Sequence, residues 1–114
     1  MAVTKIDSQF VEKEVALEAT FTSITAGATV GLDAGDSDDK IAIIVAPSAK
    51  TTFTIAVGDG VQGTGDDLAL ELASGKTYVI NIESGRFKQC SGDYKGCFEV
   101  TSTGACTCAV VVLP

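Results

Sequence analysis

Apolar and polar residues alternate with a period of two along most of this chain, and the clearest alternation lies between residues 40 and 87. This period is typical of β-strands with one buried face and one solvated face. The pattern predicts four strands here, around which the rest of the chain is organised. Apolar positions of the two clearest strands are Phe53, Ile55 and Val57 in one and Leu68, Leu70 and Leu72 in the other.

Turn-forming residues separate these four strands. The segment 46–50 contains a proline and a serine, and the segment 58–67 contains four glycines. Glycine and proline mark turns because they favour backbone angles that strands do not use. The segment 73–76, Ala-Ser-Gly-Lys, predicts a tight hairpin before Thr77.

The amino-terminal region is ambiguous. Residues 1–14 are interpreted as an arm or an edge strand, with a short strand predicted from Val3 to Ile6. Asp7 or Ser8 could cap a helix that follows, but the residues from 15 to 22 also alternate between apolar and polar. We favour a strand over that second stretch.

Further strands are predicted at residues 28–32, 98–100 and 105–113, which brings the total to eight or nine, mostly antiparallel. The chain has 114 residues, 46% of them hydrophobic, with 12 glycines and no tryptophan. This length suits a single domain with one core, and the composition favours an all-β fold. The sequence therefore predicts one domain over residues 1–114, a β-sandwich or jelly roll.

The charge of the chain bears on its partners and its location. The formal net charge is −7, with eight basic residues spread along the sequence. Nucleic acids and anionic membranes attract concentrated basic surfaces, so neither is an expected partner. The first residues lack the apolar stretch of a secretory signal peptide, and no membrane-spanning segment is expected. We therefore expect synthesis in the cytoplasm, followed by retention there or release within an assembled particle.

An acidic segment after the strand 28–32 is a candidate calcium site. Oxygen ligands on a glycine-containing loop suit Ca²⁺, but the spacing does not match an EF-hand. A solvated acidic turn is the favoured interpretation, and no cofactor is expected. The calcium ligands would be Asp33, Asp36, Asp38 and Asp39.

Four cysteines lie in the last quarter of the chain, at Cys90, Cys97, Cys106 and Cys108. Their spacing does not fit a structural zinc site. Buried or half-buried free thiols are favoured, followed by a Cys90–Cys97 disulfide across a glycine-containing loop and then by a metal site. On a strand, Cys106 and Cys108 would point to the same face, so they are not expected to bond to each other.

The chain contains no histidine, which excludes catalytic systems in which histidine activates serine or cysteine. Glu71 and Glu83 are the one carboxylate pair considered for glycosidase chemistry. Both are expected to be surface charges on alternating strands. We therefore expect a protein that is not an enzyme.

Several segments, taken in order, resemble a family of small structural proteins encoded by tailed bacteriophages. The segments are AVGDGVQGTGDDLALELASGKT (56–77), INIESGRFK (80–88), DYKGCFEVT (93–101) and the terminal VVVLP. The resemblance covers roughly residues 18–114, and its most specific parts are 58–65, 83–88 and Lys95-Gly96. The four cysteines are not part of that family's pattern.

This resemblance implies a β-sandwich decoration or auxiliary head protein on a virion. Its partners would be the major capsid protein or another virion protein, and it would form a homo-oligomer such as a trimer. Strand edges and the loop after residue 57 are the expected contact surfaces. The expected interface residues are Gly58, Asp59, Gly60, Val61, Gln62, Gly63 and Arg86.

A carbohydrate-binding, lectin-like module on the same type of sandwich is the alternative. Such modules stack aromatic side chains on sugar rings. The chain has two tyrosines and five phenylalanines, most of them predicted to face inward. Tyr94, in a loop, is the one aromatic residue expected to offer such a platform.

Overall fold

The computed structural model describes residues 4–12, 16–33, 40–58, 66–82, 84–90 and 92–113. These residues form ten β-strands and one short helix. The elements are β1 (Lys5–Ile6), β2 (Ser8–Phe10), β3 (Thr22–Ile24), β4 (Thr29–Asp33), β5 (Ile41–Pro47), β6 (Thr51–Ile55), β7 (Leu68–Leu72), β8 (Tyr78–Asn81), α1 (Ser84–Phe87), β9 (Cys97–Ser102) and β10 (Cys106–Val112).

The strands form two five-stranded sheets that pack against each other. Sheet A has the order β1-β4-β9-β6-β7, and sheet B has the order β2-β10-β5-β8, with β3 also paired to β10. Two strand pairs are parallel, β1 with β4 and β2 with β10, and the other pairs are antiparallel. The prediction of a mostly antiparallel all-β sandwich is confirmed, although the described strands number ten instead of eight or nine.

Period-two alternation places the core between the sheets, as predicted. Along β5 every second residue is buried, and β6 repeats this pattern. Phe53 of β6 and Phe98 of β9 are among the largest fully buried side chains. Each fully buried aliphatic or aromatic side chain of this kind contributes about 1.5–3 kcal/mol through its removal from water. The four strands predicted between residues 40 and 87 are β5 to β8.

All four turns at one end of the sandwich, which we call the turn end, carry the chain from one sheet to the other. They connect β3 to β4, β5 to β6, β7 to β8 and β9 to β10. The hairpin predicted at residues 73–76 is therefore wrong, since β7 pairs with β6 and β8 pairs with β5. Local turn residues predict that the chain reverses, but the sheet that each strand joins depends on contacts remote in sequence.

Hydroxyl groups buried at the turn end fix one of these turns. Thr51 Oγ1 lies 2.9 Å from Ser102 Oγ, and it accepts a hydrogen bond from the backbone N–H of Gly104 at 2.6 Å. Ser102 Oγ in turn donates to the Gly104 carbonyl oxygen. Each buried polar atom of this network has a partner, as a dry interior requires.

The strand predicted over residues 15–22 is wrong within the described part of that segment. Residues 16–21 form no strand, and β3 begins at Thr22. Leu17 and Phe21 are exposed, so their alternation is not matched by a core to bury them. The side-chain amide of Gln9 instead bonds both backbone groups of Thr20, at 2.8 Å each.

Candidate functional site

Among the predicted interface residues, Gly58 and Arg86 are brought together by the structure. Gly58 follows β6, and its backbone N–H donates to the Arg86 carbonyl oxygen at 2.7 Å. A Cβ atom at this position would overlap the carbonyl oxygen of Lys88. Only glycine therefore allows the two backbone segments to approach so closely.

Arg86 also reaches the far end of the loop that Gly58 begins. Its guanidinium donates to the carbonyl oxygen of Asp66 at 2.9 Å, and its Cζ atom lies 4.7 Å from the centre of the Phe87 ring. The side chain is held from both sides, by a hydrogen bond and by a cation–π contact. The four-residue helix α1, which the sequence did not predict, positions this arginine.

Two further hydrogen bonds fix the ends of the same loop. The backbone N–H of Val57 donates to the Asp67 carboxylate at 2.8 Å, and the Val57 carbonyl accepts from the side chain of Gln89 at 3.1 Å. Both ends of the loop are thus tied to each other and to the segment after β8. The predicted interface residues Asp59, Gly60, Val61, Gln62 and Gly63 lie outside the described residues.

Of the four aspartates considered for calcium, Asp33 is described, and Asp36, Asp38 and Asp39 lie outside the described residues. Asp33 ends β4, and its Oδ2 atom accepts from the Ser8 hydroxyl at 2.8 Å and from the Ser8 backbone N–H at 3.5 Å. In the described ranges, no three acidic or cysteine side chains are grouped so that they could hold a metal ion. The solvated acidic turn that the sequence favours, and the calcium ligand set as its alternative, both stay predictions.

The cysteines occupy two kinds of environment. All four are free thiols; Cys97, Cys106 and Cys108 are buried as expected, but the expectation is wrong for Cys90, which is exposed. Burial raises the pKa of Cys108 to about 12, with a smaller contribution from Cys106, and it also raises the pKa of Cys97. Thiols that stay protonated in an apolar interior are poor nucleophiles and poor metal ligands.

Tyr94 is engaged in packing on the outer side of sheet A. A Cβ atom at Gly31 would lie 2.9 Å from Tyr94 Cδ1, so the ring covers the gap left by the missing side chain. The Tyr94 hydroxyl also donates to the Thr29 carbonyl at 3.5 Å. An aromatic ring that covers a glycine in a sheet supports that sheet, so this structural role accounts for Tyr94 without a sugar ligand.

Glu71, one of the two carboxylates considered for glycosidase chemistry, is exposed on β7 opposite Thr52. Its proposed companion, Glu83, lies outside the described residues.

The outer faces of the two sheets differ in charge. Register and alternation place Lys5, Asp33, Glu99 and Glu71 on the outer face of sheet A. The outward positions of the long strands of sheet B carry no charge. These positions are Ala42, Ile44 and Ala46 of β5, Val79 and Asn81 of β8, and Thr107, Ala109 and Val111 of β10.

The two lateral sides of the sandwich also differ. On one side, which we call the closed side, the chain passes from β1 in sheet A to β2 in sheet B through Asp7. The hydrogen bonds from Ser8 to Asp33 join the two sheets there. The covalent chain and these polar contacts join the two sheets on this side, although β1, β2 and β3 each pair with one described strand alone.

The other lateral side, which we call the open side, lies between β7 and β8. Among the described strands, β7 pairs with β6 alone and β8 with β5 alone, so each has a free edge. A groove of about 500 Å³ lies between these edges. Its half-buried apolar side chains, which also pack against the core, are Leu68, Leu70, Tyr78 and Ile80.

Comparison with models of known protein families, with curated proteins and with solved structures finds no match for this chain. The described residues include no helix with the length and hydropathy needed to cross a membrane.

Proposed function

We propose that the protein is a non-enzymatic structural component of a tailed-phage particle, a decoration or auxiliary head protein. It binds a repeating protein surface, such as that of the major capsid protein, and acts on the virion as a homo-oligomer. The resemblance of residues 18–114 to small phage structural proteins is one support. The other is the way in which the frame holds the loop between Gly58 and Asp67.

The observation that carries the proposal is the hydrogen bonding at the base of this loop. Gly58 and Asp66 are both bonded to Arg86, and Val57 is bonded to Asp67. Binding residues are often carried on loops that a rigid scaffold positions. Fixing both ends of a loop before contact lowers the conformational entropy lost on docking. Weak contacts of single copies then add up when an oligomer binds a repeating surface.

Co-sedimentation with shells that lack this protein tests the proposal. Wild-type protein is expected to pellet with the shells in a saturable way. Val61→Asp, within the predicted interface, should reduce binding by about tenfold or more, because a charge is placed in a desolvated contact. Ala49→Asp makes a similar change at an exposed position of the turn end and should bind like the wild type.

Absence of co-sedimentation would contradict the proposal, and so would equal binding by both variants. If the protein instead bound a defined glycan saturably, with loss on Tyr94→Ala, the carbohydrate-binding alternative would replace it. Circular dichroism of each variant confirms that the fold is kept.

A further inference from the structure

We propose that the open side is an interface between two copies of this chain, in which β8 of one copy pairs antiparallel with β8 of the other. Sheet B then continues from one copy into the next. This inference does not depend on the proposed function, because it rests on the free edges of β7 and β8, on the groove between them and on the charges at its two ends.

The first argument is that β8, although only four residues long, carries no charged residue or proline that would guard its edge. Exposed sheet edges are usually guarded by charged side chains, proline, bulges or short length. Residues 77–82, Thr-Tyr-Val-Ile-Asn-Ile, contain no charge and no proline. Val79 points to the outer face and is 68% exposed, the highest value among the exposed large apolar residues in the described ranges. An edge of this composition is suited to pairing with another strand.

The second argument concerns the match between two copies of the edge. A two-fold axis requires the same strand to meet itself in antiparallel orientation. With the axis at Val79, this residue lies opposite the partner's Val79, on the charge-free outer face of sheet B. Tyr78 then lies opposite the partner's Ile80 on the groove side. Aromatic and β-branched residues placed directly opposite each other stabilise antiparallel pairs.

The third argument is charge complementarity along the open side. Lys50 and Lys76 are exposed at its turn end, and Asp66 and Asp67 are exposed at the opposite end. Glu71 lies near the two lysines, and Arg86 and the exposed Lys40, which precedes β5, lie at the same end as the aspartates. The opposite charges are therefore local: Lys76 precedes β8, and Asp66 and Asp67 precede β7. Antiparallel pairing brings Lys76 of one copy toward Asp66 and Asp67 of the other.

These features favour a second copy of the chain as the partner that binds at the open side. Two chains of net charge −7 repel each other at most orientations, but here the opposed strands are uncharged and Lys76 of each copy faces Asp66 and Asp67 of the other. The two β7 edges also approach each other across the same axis. The two grooves, each about 500 Å³, then face one another and remove their leucine side chains from water.

Sedimentation-velocity ultracentrifugation over about 1–100 μM protein tests this interface. Wild-type protein is expected to form dimers. Val79→Lys places two like charges opposite each other at the axis and should weaken association by at least about tenfold. Ser23→Lys is the matched control, since Ser23 is an exposed strand residue at the other edge of sheet B, and it should associate like the wild type.

A charge exchange gives a second readout that a change in folding would not reproduce. Lys76→Glu and Asp66→Lys should each weaken the dimer, and the double variant should restore it. Wild-type protein that stays monomeric at about 1 mM would overturn the proposal. Association unaffected by Val79→Lys, or a double variant no stronger than the single ones, would overturn it as well.

Discussion

The closed and open sides of the sandwich solve the same problem in different ways. Every sheet has two edges, and a free edge exposes backbone donors and acceptors together with part of the core. At the closed side the chain itself crosses between the sheets, and Ser8 binds Asp33 across the gap. At the open side, β7 and β8 leave a groove lined by half-buried leucine, isoleucine and tyrosine side chains. The closed side is joined within one chain, whereas the open side is where we propose a partner.

The largest effect that separates the two sides is expected from leucine truncation. Leu32 of β4, beside the closed side, is fully buried, and Leu70 of β7 is half-buried. Leu32→Ala should lower the free energy of unfolding by about 2–5 kcal/mol. Leu70→Ala should lower it by about 1 kcal/mol in dilute solution, because less area is removed from contact. Urea denaturation measures both, and equal costs would contradict the comparison.

The buried thiol of Cys108 makes stability depend on alkaline pH. This residue pairs with Thr22 of β3 near the closed side, and burial raises its pKa from 9.0 to about 12. The folded protein keeps the proton to higher pH than the unfolded chain, so this contribution is fully present below pH 9.0 and is lost as the pH rises toward about 12. The steepest slope is about 1.4 kcal/mol per pH unit.

Denaturation at a series of pH values checks this dependence, with Cys108→Ala expected to reduce the slope. Cys90 is exposed, so Cys90→Ala is the matched control and should leave the slope unchanged. A Cys108→Ala variant with the wild-type slope would show that another group is responsible.

Two glycines allow a comparison of close packing near each side. Gly58 precedes the loop that leads to β7, and a Cβ atom at Gly58 would overlap a backbone carbonyl. A Cβ atom at Gly31 of β4 would meet the side chains of Tyr94 and Cys97. Gly58→Ala should therefore cost about 1–3 kcal/mol, since backbone cannot move aside. Gly31→Ala should cost less, because side chains can adjust. Thermal unfolding of the two variants gives the order, which a larger loss for Gly31→Ala would reverse.

The smallest expected difference concerns single hydroxyl groups. Ser8→Ala removes the bond to Asp33 across the closed side and should cost about 1 kcal/mol. Tyr78→Phe removes the acceptor of an exposed bond from the Ala73 backbone N–H at 3.1 Å, which should cost about 0.5 kcal/mol. Chemical denaturation with repeated measurements resolves this difference. A greater cost for Tyr78→Phe would argue against the closed side as the firmer of the two.

The sequence predicts the strands of this protein well because alternation reports burial directly. The segments containing Phe53, Leu70 and Val100 are strands whose inward residues match the predicted apolar positions. The same rule failed at Leu17 and Phe21, since alternation shows which residues could be buried and not whether a core lies opposite them. Alternation also missed β2, a three-residue strand held by pairing with β10.

The candidate surfaces were only partly accessible to sequence reasoning. The sequence placed Gly58 in a turn, but its close approach to the Lys88 carbonyl joins backbone segments distant in sequence, so no local pattern indicated it. The bond from Arg86 to Asp66 and the ring of Tyr94 over Gly31 join residues distant in sequence, so no local pattern indicated them. The groove between β7 and β8 exists because these strands belong to different sheets. The turn at residues 73–76 instead predicted that they pair as a hairpin, so the groove was not expected.

The central claim is the proposal that a second copy completes the open side. Hydrogen exchange of the β8 backbone amides tests it most directly. Raising the protein concentration from about 1 to about 100 μM should slow exchange in Tyr78–Asn81 at the amides that point away from β5, by about tenfold or more. Amides of β2 at the closed side should not change, and Val79→Lys should abolish the effect at β8. If the β8 amides exchanged at the same rate at both concentrations, or if protection appeared at β2 instead, the open side would not be the interface.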